Sequence, residues 1–92
     1  MTKTEVKYII YDNLTRRFFS DSRYVSPAMK PKKDYLHLYF YDDITCAMIG
    51  EENDLINYVE YWRDCHVVDR FTDMMLDVSN FVIKKITITY DE

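Results

Sequence analysis

The sequence predicts a single α+β domain over residues 1–92, with a small antiparallel sheet of about four strands and two helices packed on one of its faces. Three observations lead to this class. A chain of 92 residues has the length of one domain. Its hydrophobic content of 48% and its aromatic content of 16% are typical of a folded core. Strand-like alternation and helical spacing occupy separate segments, and their order along the chain is β-β-β-α-α-β.

The first two predicted strands form a hairpin. Residues 6–11 and 16–20 are rich in β-branched and aromatic side chains, and Asp12 and Asn13 between them suit a turn because their side chains can bond the local backbone. Residues 25–33 contain both prolines and a lysine cluster. Because proline lacks a backbone donor, we predict a loop or an irregular sheet edge in this segment.

Residues 35–41 carry the clearest strand pattern in the chain. Leu36, Leu38 and Phe40 alternate with tyrosine and histidine, so the two sets point to opposite faces of the predicted sheet. The face with the leucines is the predicted core face. The opposite face is rich in tyrosine, and we expect it to be half-buried or available to a partner. Its side chains are Tyr35, His37, Tyr39 and Tyr41.

Two helices are predicted between residues 51 and 78. The first begins with acidic residues, which favour the positive end of a helix dipole, and continues with Leu55, Val59 and Trp62 at helical spacing. The second helix is predicted from the spacing of Val67, Phe71, Met74, Met75 and Val78. The two apolar stripes lie roughly 160° apart at about 100° per residue, so we expect a break near residues 64–67. We place the large aromatic side chains Phe40, Trp62 and Phe71 in the core.

The last predicted strand covers residues 81–90. Isoleucine and tyrosine alternate there with threonine, which is a strand pattern. Lys84 and Lys85 near its middle indicate an edge position or a bulge, where charge prevents unwanted pairing with other strands. We place this strand beside the first one, because that arrangement makes the domain compact.

Charge is segregated along the chain. Up to Lys33 there are eight Lys and Arg against three Asp and Glu, a balance of +5. From Asp34 onward there are four against thirteen, a balance of −9, and the two sum to the net charge of −4. Such asymmetry affects the choice of partners and the rate of association rather than the fold.

The acidic half supplies the first candidate binding site. Asp69, Asp73 and Asp77 are four residues apart and would form a row along one side of the second predicted helix. Such a row is either an ordinary solvated helix face or a mimic of nucleic-acid phosphates that meets a basic partner. Tyrosines, which are enriched in binding hot spots, accompany it, although amphipathic tyrosines suit a core equally well. The predicted partner-binding residues are Tyr39, Tyr41, Asp42, Asp43, Tyr58, Tyr61, Asp69, Asp73 and Asp77.

The basic segment supplies an alternative site. Its cations alternate with Phe18, Phe19 and Tyr24, and basic and aromatic side chains on a sheet can hold single-stranded nucleic acid. A sequence pI near 5.1 argues against general nucleic-acid affinity, so nucleic acid is the less favoured partner. The same segment could pair with the acidic half of a second copy. The residues of this alternative site are Arg16, Arg17, Arg23, Lys30, Lys32 and Lys33.

The sequence carries no signature of catalysis. A single glycine, Gly50, excludes the phosphate-binding loops that need several, and no serine-hydrolase or zinc-protease motif occurs. Cys65 and His66 lack the paired spacing of a zinc site. We therefore predict a non-enzymatic protein that uses no metal and no cofactor. Without a signal-peptide pattern or a long apolar run, the chain is also predicted to be cytoplasmic, with no membrane segment.

Four elements, taken in order, carry a resemblance to known proteins. The hairpin YIIYDN to RFFS at residues 8–20 precedes DITCAMIGEE at 43–52, a helix, and the strand VIKKI at 82–86. In this layout the chain resembles the small, acidic, single-domain proteins of bacteriophages, among which anti-CRISPR and other anti-defence inhibitors are found. The resemblance implies stoichiometric binding to a host protein such as a CRISPR effector or another nuclease, with acidic side chains in its nucleic-acid site.

Three functional hypotheses follow. The first is a non-enzymatic, phage-type inhibitor that binds a host nucleic-acid-handling protein through acidic and aromatic side chains. The second is a small nucleic-acid-binding or regulatory module that uses the basic segment. The third is a structural protein that self-associates as a homo-oligomer through its opposed charges.

Overall fold

The structure, a computed structural model, describes residues 1–25 and 34–91. Its five strands are β1 (Thr2–Asp12), β2 (Arg17–Tyr24), β3 (Tyr35–Tyr41), β4 (His66–Asp69) and β5 (Phe81–Asp91). Within these residues there is one α-helix, α1 (Glu52–Arg63), and 3₁₀ turns occupy Ile44–Cys46 and Val78–Asn80. The strands form one sheet in the order β4-β3-β2-β1-β5. The loop predicted at 25–33 lies almost wholly outside the described residues.

The predicted order β-β-β-α-α-β and the purely antiparallel sheet are wrong. The sheet is mixed, because β4 pairs parallel to β3 while the other pairs are antiparallel. The α1 helix is the crossover that a parallel pair of neighbouring strands requires. The second predicted helix is a short strand followed by a loop. Its first residues, Val67 and Val68, are β-branched and both buried, which suits a strand covered on its two faces.

The core lies between α1 and one face of the sheet. The alternation predicted for β3 is confirmed: Leu36, Leu38 and Phe40 are buried, whereas the tyrosines between them are half-buried or exposed. Trp62 of α1 packs edge-on against Phe19, with ring centroids 4.7 Å apart. Burial of a side chain of this size contributes roughly 2–3 kcal/mol or more relative to exposure, so these aromatic contacts hold the helix on the sheet.

The first predicted helix and the break after it are confirmed. Acidic side chains occupy the first turn of α1, and Leu55, Val59 and Trp62 are its buried residues. The helix ends at Arg63, and Asp64 leaves helical geometry as its C-cap. The chain turns there and enters β4 two residues later.

The strands β1 and β5 extend beyond the rest of the sheet. β1 pairs with β2 only at Tyr11 and Asp12, whereas it pairs with β5 along its whole length. Where β1 and β2 diverge, Gly50 forms an isolated antiparallel β-bridge with Tyr8, on the edge of β1 that β2 no longer covers. Beyond this point residues 2–7 pair with residues 86–91 as a two-stranded ribbon, here called the arm. The arm accounts for the elongated shape, whose longest axis is 55 Å against 23 and 21 Å.

The predicted position of the last strand is confirmed. β5 is a sheet edge beside β1, and Lys84 and Lys85 lie on it with exposed side chains. Charge at this position blunts the edge against pairing with other chains.

Candidate functional site

A cluster of exposed apolar side chains follows β4. Phe71, Met74 and Met75, here called the loop patch, are 55%, 68% and 67% exposed. The prediction that Phe71 belongs to the core is wrong, because the chain leaves the sheet after Asp69 and carries this ring outward. Clusters of exposed apolar side chains such as these three, within five residues, are common at interaction sites, so the loop patch is a candidate site. Methionine is well suited to such a site because its flexible thioether adapts to a partner.

Asp69 holds the loop patch in shape. This buried carboxylate forms an ion pair with Arg17 and accepts a hydrogen bond of 2.8 Å from the backbone N–H of Phe71. The backbone of Asp69 accepts from the N–H of Asp73 at 2.8 Å and donates to the carbonyl of Met74 at 2.9 Å. Three hydrogen bonds to Asp69 therefore hold the backbone of the loop, which fixes the positions from which its apolar side chains project.

The tyrosine face of β3 continues the loop patch. The ring of Phe71 meets Tyr39 and Tyr41 edge-on, with centroids 5.8 and 5.3 Å apart. Tyr39 is half-buried and Tyr41 is exposed. These two predicted partner-binding tyrosines thus lie beside apolar side chains that the sequence interpretation had assigned to the core.

A cleft of about 750 Å³ opens on the other side of Met75. It lies between the end of α1 and the segment that follows the loop patch. Its walls are formed by Trp62, Arg63, Cys65, Val67 and residues 75–79. Met75 belongs to both the loop patch and this cleft, so one partner could contact the two together.

The predicted helical row of Asp69, Asp73 and Asp77 does not exist. Asp69 is buried in β4, Asp73 lies in the loop with a left-handed φ of 56°, and Asp77 caps the 3₁₀ turn by accepting from the N–H of Ser79 at 3.0 Å. Side-chain and backbone hydrogen bonds from Ser79 lower the pKa of Asp77. Local capping and turn formation, rather than a shared helix face, explain these carboxylates.

Asp42 and Asp43 follow β3 at the end next to Tyr41. Asp42 is exposed, and Asp43 caps the 3₁₀ turn at Ile44–Cys46 by accepting from the N–H of Thr45 at 2.9 Å. Hydrogen bonds from Thr45 lower the pKa of Asp43, so it is charged at neutral pH. These two carboxylates give the tyrosine end of the site a negative rim.

Tyr58 and Tyr61 lie on α1 and form a separate surface. Tyr58 stacks on Trp62, with ring centroids 6.1 Å apart. The hydroxyl of Tyr61 donates to Asp34 at 2.5 Å, and this hydrogen bond raises the pKa of Tyr61. Hydrogen bonds from Tyr24 and Tyr61 lower the pKa of Asp34. Of the nine predicted partner-binding residues, two therefore lie on α1 and the other seven lie outside the helix, with Asp69 among them buried.

The structure describes three members of the predicted basic site, and each has a different local environment. Arg17 pairs with Asp69, and Arg16 occupies the β1–β2 turn with a left-handed φ of 60°. Arg23 is exposed, and its guanidinium carbon lies 5.7 Å from the centroid of the Tyr39 ring. The remaining members, Lys30, Lys32 and Lys33, lie outside the described residues.

The open face of the sheet carries a cation–aromatic pair and a pair of stacked rings that the sequence did not reveal. The Lys84 ammonium lies 4.0 Å from the centroid of Tyr11, and the ring of His66 stacks on Tyr35 at 4.7 Å. These pairs join residues that are distant in sequence, so only the strand register brings them together. Residue spacing within one strand contains no signal for them.

The part of the chain described contains no group of three or more His, Cys, Asp or Glu side chains that could hold a metal ion. None of its helices has the length and apolar character needed to span a membrane. The chain matches no protein-family model, no curated protein and no solved structure at a significant level.

Proposed function

We propose that this chain is a non-enzymatic interaction protein that binds a partner protein through the loop patch and the adjoining tyrosines of β3. The observation that carries the proposal is the exposure of Phe71, Met74 and Met75, each more than half exposed, on a loop whose backbone is fixed by Asp69. A preorganised apolar cluster with aromatic neighbours has the composition of a binding hot spot. The cleft beside Met75 offers room for a side chain of the partner.

Charge supports a basic partner. In the described residues there are nine Lys and Arg against fifteen Asp and Glu, a balance of −6. Residues 51–64, which include α1, carry five carboxylates and one arginine. Asp73 and Arg70 lie in the same loop as the patch, and Asp42 and Asp43 directly follow Tyr41, whose ring meets Phe71. Complementary charge accelerates association and excludes acidic competitors.

Proteins that handle nucleic acid present basic surfaces, so a host nucleic-acid-handling protein is the partner class we propose. The proposed action is stoichiometric inhibition in the host cytoplasm, in the manner of phage anti-defence proteins. The acidic side chains would compete with nucleic acid for the basic site, and the loop patch would supply the apolar anchor.

Affinity capture from a bacterial lysate tests the proposal. The wild-type chain should retain a protein from the lysate. Nuclease treatment should leave this retention unchanged, and added duplex DNA should displace the protein. The variant Phe71→Ser/Met74→Ser/Met75→Ser should weaken that retention at least about 30-fold, because truncated hot-spot residues cost about 2 kcal/mol or more each.

The matched control replaces two other exposed apolar residues that belong neither to the loop patch, nor to the β3 tyrosines, nor to the walls of the cleft. Leu14 and Ile49 are 73% and 50% exposed, and Leu14→Ser/Ile49→Ser should bind as the wild type does. Equal binding by the control and the loop-patch variant would contradict the proposal. Retention that nuclease abolishes would do the same, because the chain would then be bound to nucleic acid.

A second candidate is single-stranded nucleic acid on the open face of the sheet. The specific observation in its favour is the set of aromatic rings with cations beside them, at Arg23–Tyr39 and Lys84–Tyr11. Those cations cover ring faces on which bases would stack, so this candidate ranks second. A gel shift with single-stranded oligonucleotides at low salt, lost in Arg23→Ala/Lys84→Ala, would establish it.

A further inference from the structure

The arm has an edge that no strand of residues 1–25 and 34–91 covers. Along residues 2–6, β1 pairs with β5 on one side only. All five of these residues are exposed. An isolated two-stranded ribbon is marginally stable in water, and an open edge is a template for another strand.

Hydrogen bonds at Tyr8 fix the direction of the backbone groups along this edge. The N–H of Tyr8 donates to Gly50 at 2.9 Å, and the N–H of Gly50 donates to Tyr8 at 3.1 Å. The polar groups of Tyr8 therefore point away from β5. Because this direction alternates along an antiparallel strand, the N–H and C=O groups of Val6, Thr4 and Thr2 point outward in the same way.

We propose that this edge pairs with the same edge of a second copy of the chain, antiparallel and centred on Thr4. Thr4 then faces Thr4 of the second copy. On either side of this pair, Thr2 of one copy faces Val6 of the other. Each of these three facing pairs has outward backbone groups and can exchange two hydrogen bonds. The product is a two-fold symmetric sheet that runs β5-β1-β1-β5 across the dimer.

Charge selects this register over its neighbours. Centred on Thr4, the pairing puts Lys3 opposite Glu5 of the second copy and Glu5 opposite Lys3, on one face of the sheet. A shift of two residues in one direction places Lys3 opposite Lys3. The same shift in the other direction places Glu5 opposite Glu5 and Lys3 opposite Lys7. Like charges directly opposite each other are destabilising in both cases.

A larger shift is blocked by the fold itself. Moving the pairing four residues toward the body would place Glu5 opposite Lys7, which is favourable in charge. That register needs the backbone of Tyr8, whose N–H and C=O are already bonded to Gly50. One register therefore combines outward backbone groups, opposite charges and an unobstructed strand.

Cysteine crosslinking tests the register directly. In a background of Cys46→Ser/Cys65→Ser, Thr4→Cys places two thiols across the two-fold axis, where the Cα atoms are about 5.5 Å apart and suit a disulfide. Mild oxidation should give a covalent dimer. The control Thr2→Cys leaves its thiols about 13 Å apart, four residues along the strand, and should not crosslink.

Charge reversal supplies an independent readout by sedimentation at concentrations from about 10 µM to 1 mM, a range suited to a small interface. Glu5→Lys and Lys3→Glu should each weaken the dimer about tenfold, and the double variant Lys3→Glu/Glu5→Lys should restore it. Lys85→Glu, which makes the same charge change on β5, should leave dimerisation unaffected.

Three outcomes would overturn the proposal. One is a monomer over the whole concentration range with no crosslinking of Thr4→Cys. The second is crosslinking through Thr87→Cys on β5 instead, which would assign the contact to the other edge. The third is a double charge variant that stays as weak as its parents, because restoration requires the two side chains to face each other.

Discussion

Replacement of Asp69 by alanine should destabilise the domain by about 3–5 kcal/mol, the usual cost of removing one member of a buried ion pair. The Asp69 side chain is 2% exposed and that of its partner Arg17 is 16% exposed, so the guanidinium would be left with little access to water. The N–H of Phe71 would lose its acceptor as well. Against a total stability of roughly 5–10 kcal/mol for a domain of this size, such a loss lowers Tm by at least about 12 °C.

Urea unfolding followed by far-UV circular dichroism and by the fluorescence of the single tryptophan, Trp62, measures this loss. Arg17→Met keeps the aliphatic length and removes the charge, so Asp69→Ala, Arg17→Met and the double variant form a double-mutant cycle. The double variant should be more stable than the sum of the single losses predicts. Asp42→Ala, an exposed carboxylate, is the control and should change stability by less than about 0.5 kcal/mol.

Two results would refute this reasoning. A loss below about 1 kcal/mol for Asp69→Ala would mean that the ion pair has no more than the strength of a surface pair. Strict additivity in the cycle would mean that Arg17 and Asp69 do not interact, and the ion pair would then contribute nothing to holding Asp69 beneath the loop patch.

Three further predictions concern stability. Trp62→Ala should cost about 3–5 kcal/mol in urea unfolding by circular dichroism, and a loss under about 1 kcal/mol would place the ring outside the core. Hydrogen bonds in the 3₁₀ turns lower the pKa values of Asp43 and Asp77 from 3.8 in the folded state. The contribution of these two carboxylates to folding stability is therefore complete above pH 3.8 and is lost as the pH falls further. Asp43→Asn/Asp77→Asn should therefore flatten the fall of Tm between about pH 5 and pH 2, and an unchanged slope would contradict this. The hydrogen bond to Asp34 raises the pKa of Tyr61 from 10.0 in the folded state, so its contribution to stability is lost as the pH rises above that value. Tyr61→Phe should therefore show a smaller fall of Tm at alkaline pH than the wild type, and an equally steep fall would count against the hydrogen bond.

Local patterns with one structural solution were predictable from the sequence. The alternation of apolar and aromatic residues in β3 fits only a strand, and its leucines and Phe40 are the residues that are buried. The stripe of Leu55, Val59 and Trp62 is likewise the buried stripe of α1. In both elements the residue pattern and the tertiary burial agree, so propensity and packing favour the same structure.

The prediction of a second helix after α1 is wrong because the apolar spacing of this segment fits either a helix or a short strand followed by a loop. Val67, Phe71 and Met74 recur at helical intervals, yet only Val67 is buried. A helix would have required all three to face the core. Here the buried β-branched pair Val67 and Val68 favours a strand, and the other two apolar residues are exposed in the loop that follows it.

The candidate site was only partly predictable because it depends on contacts between distant residues. Arg17 and Asp69 were assigned from sequence to two competing sites, although in the fold they form one buried ion pair. They are 52 positions apart, and composition cannot show such a pairing. The charge segregation of the sequence is therefore weaker in the folded molecule, where a cation of the basic half neutralises a carboxylate of the acidic half.

The bridge between Gly50 and Tyr8 makes amide hydrogen exchange along β1 alternate with a period of two. On the body side of the bridge, Tyr11 and Asp12 pair with β5 on one edge of the strand and with β2 on the other. On the arm side of a single copy, the N–H groups of Lys3, Glu5 and Lys7 face β5, whereas those of Thr4 and Val6 face water unless a second copy pairs with them. Slow and fast exchange should thus alternate until Tyr8, whose amide marks the point where the ribbon joins the cooperative core.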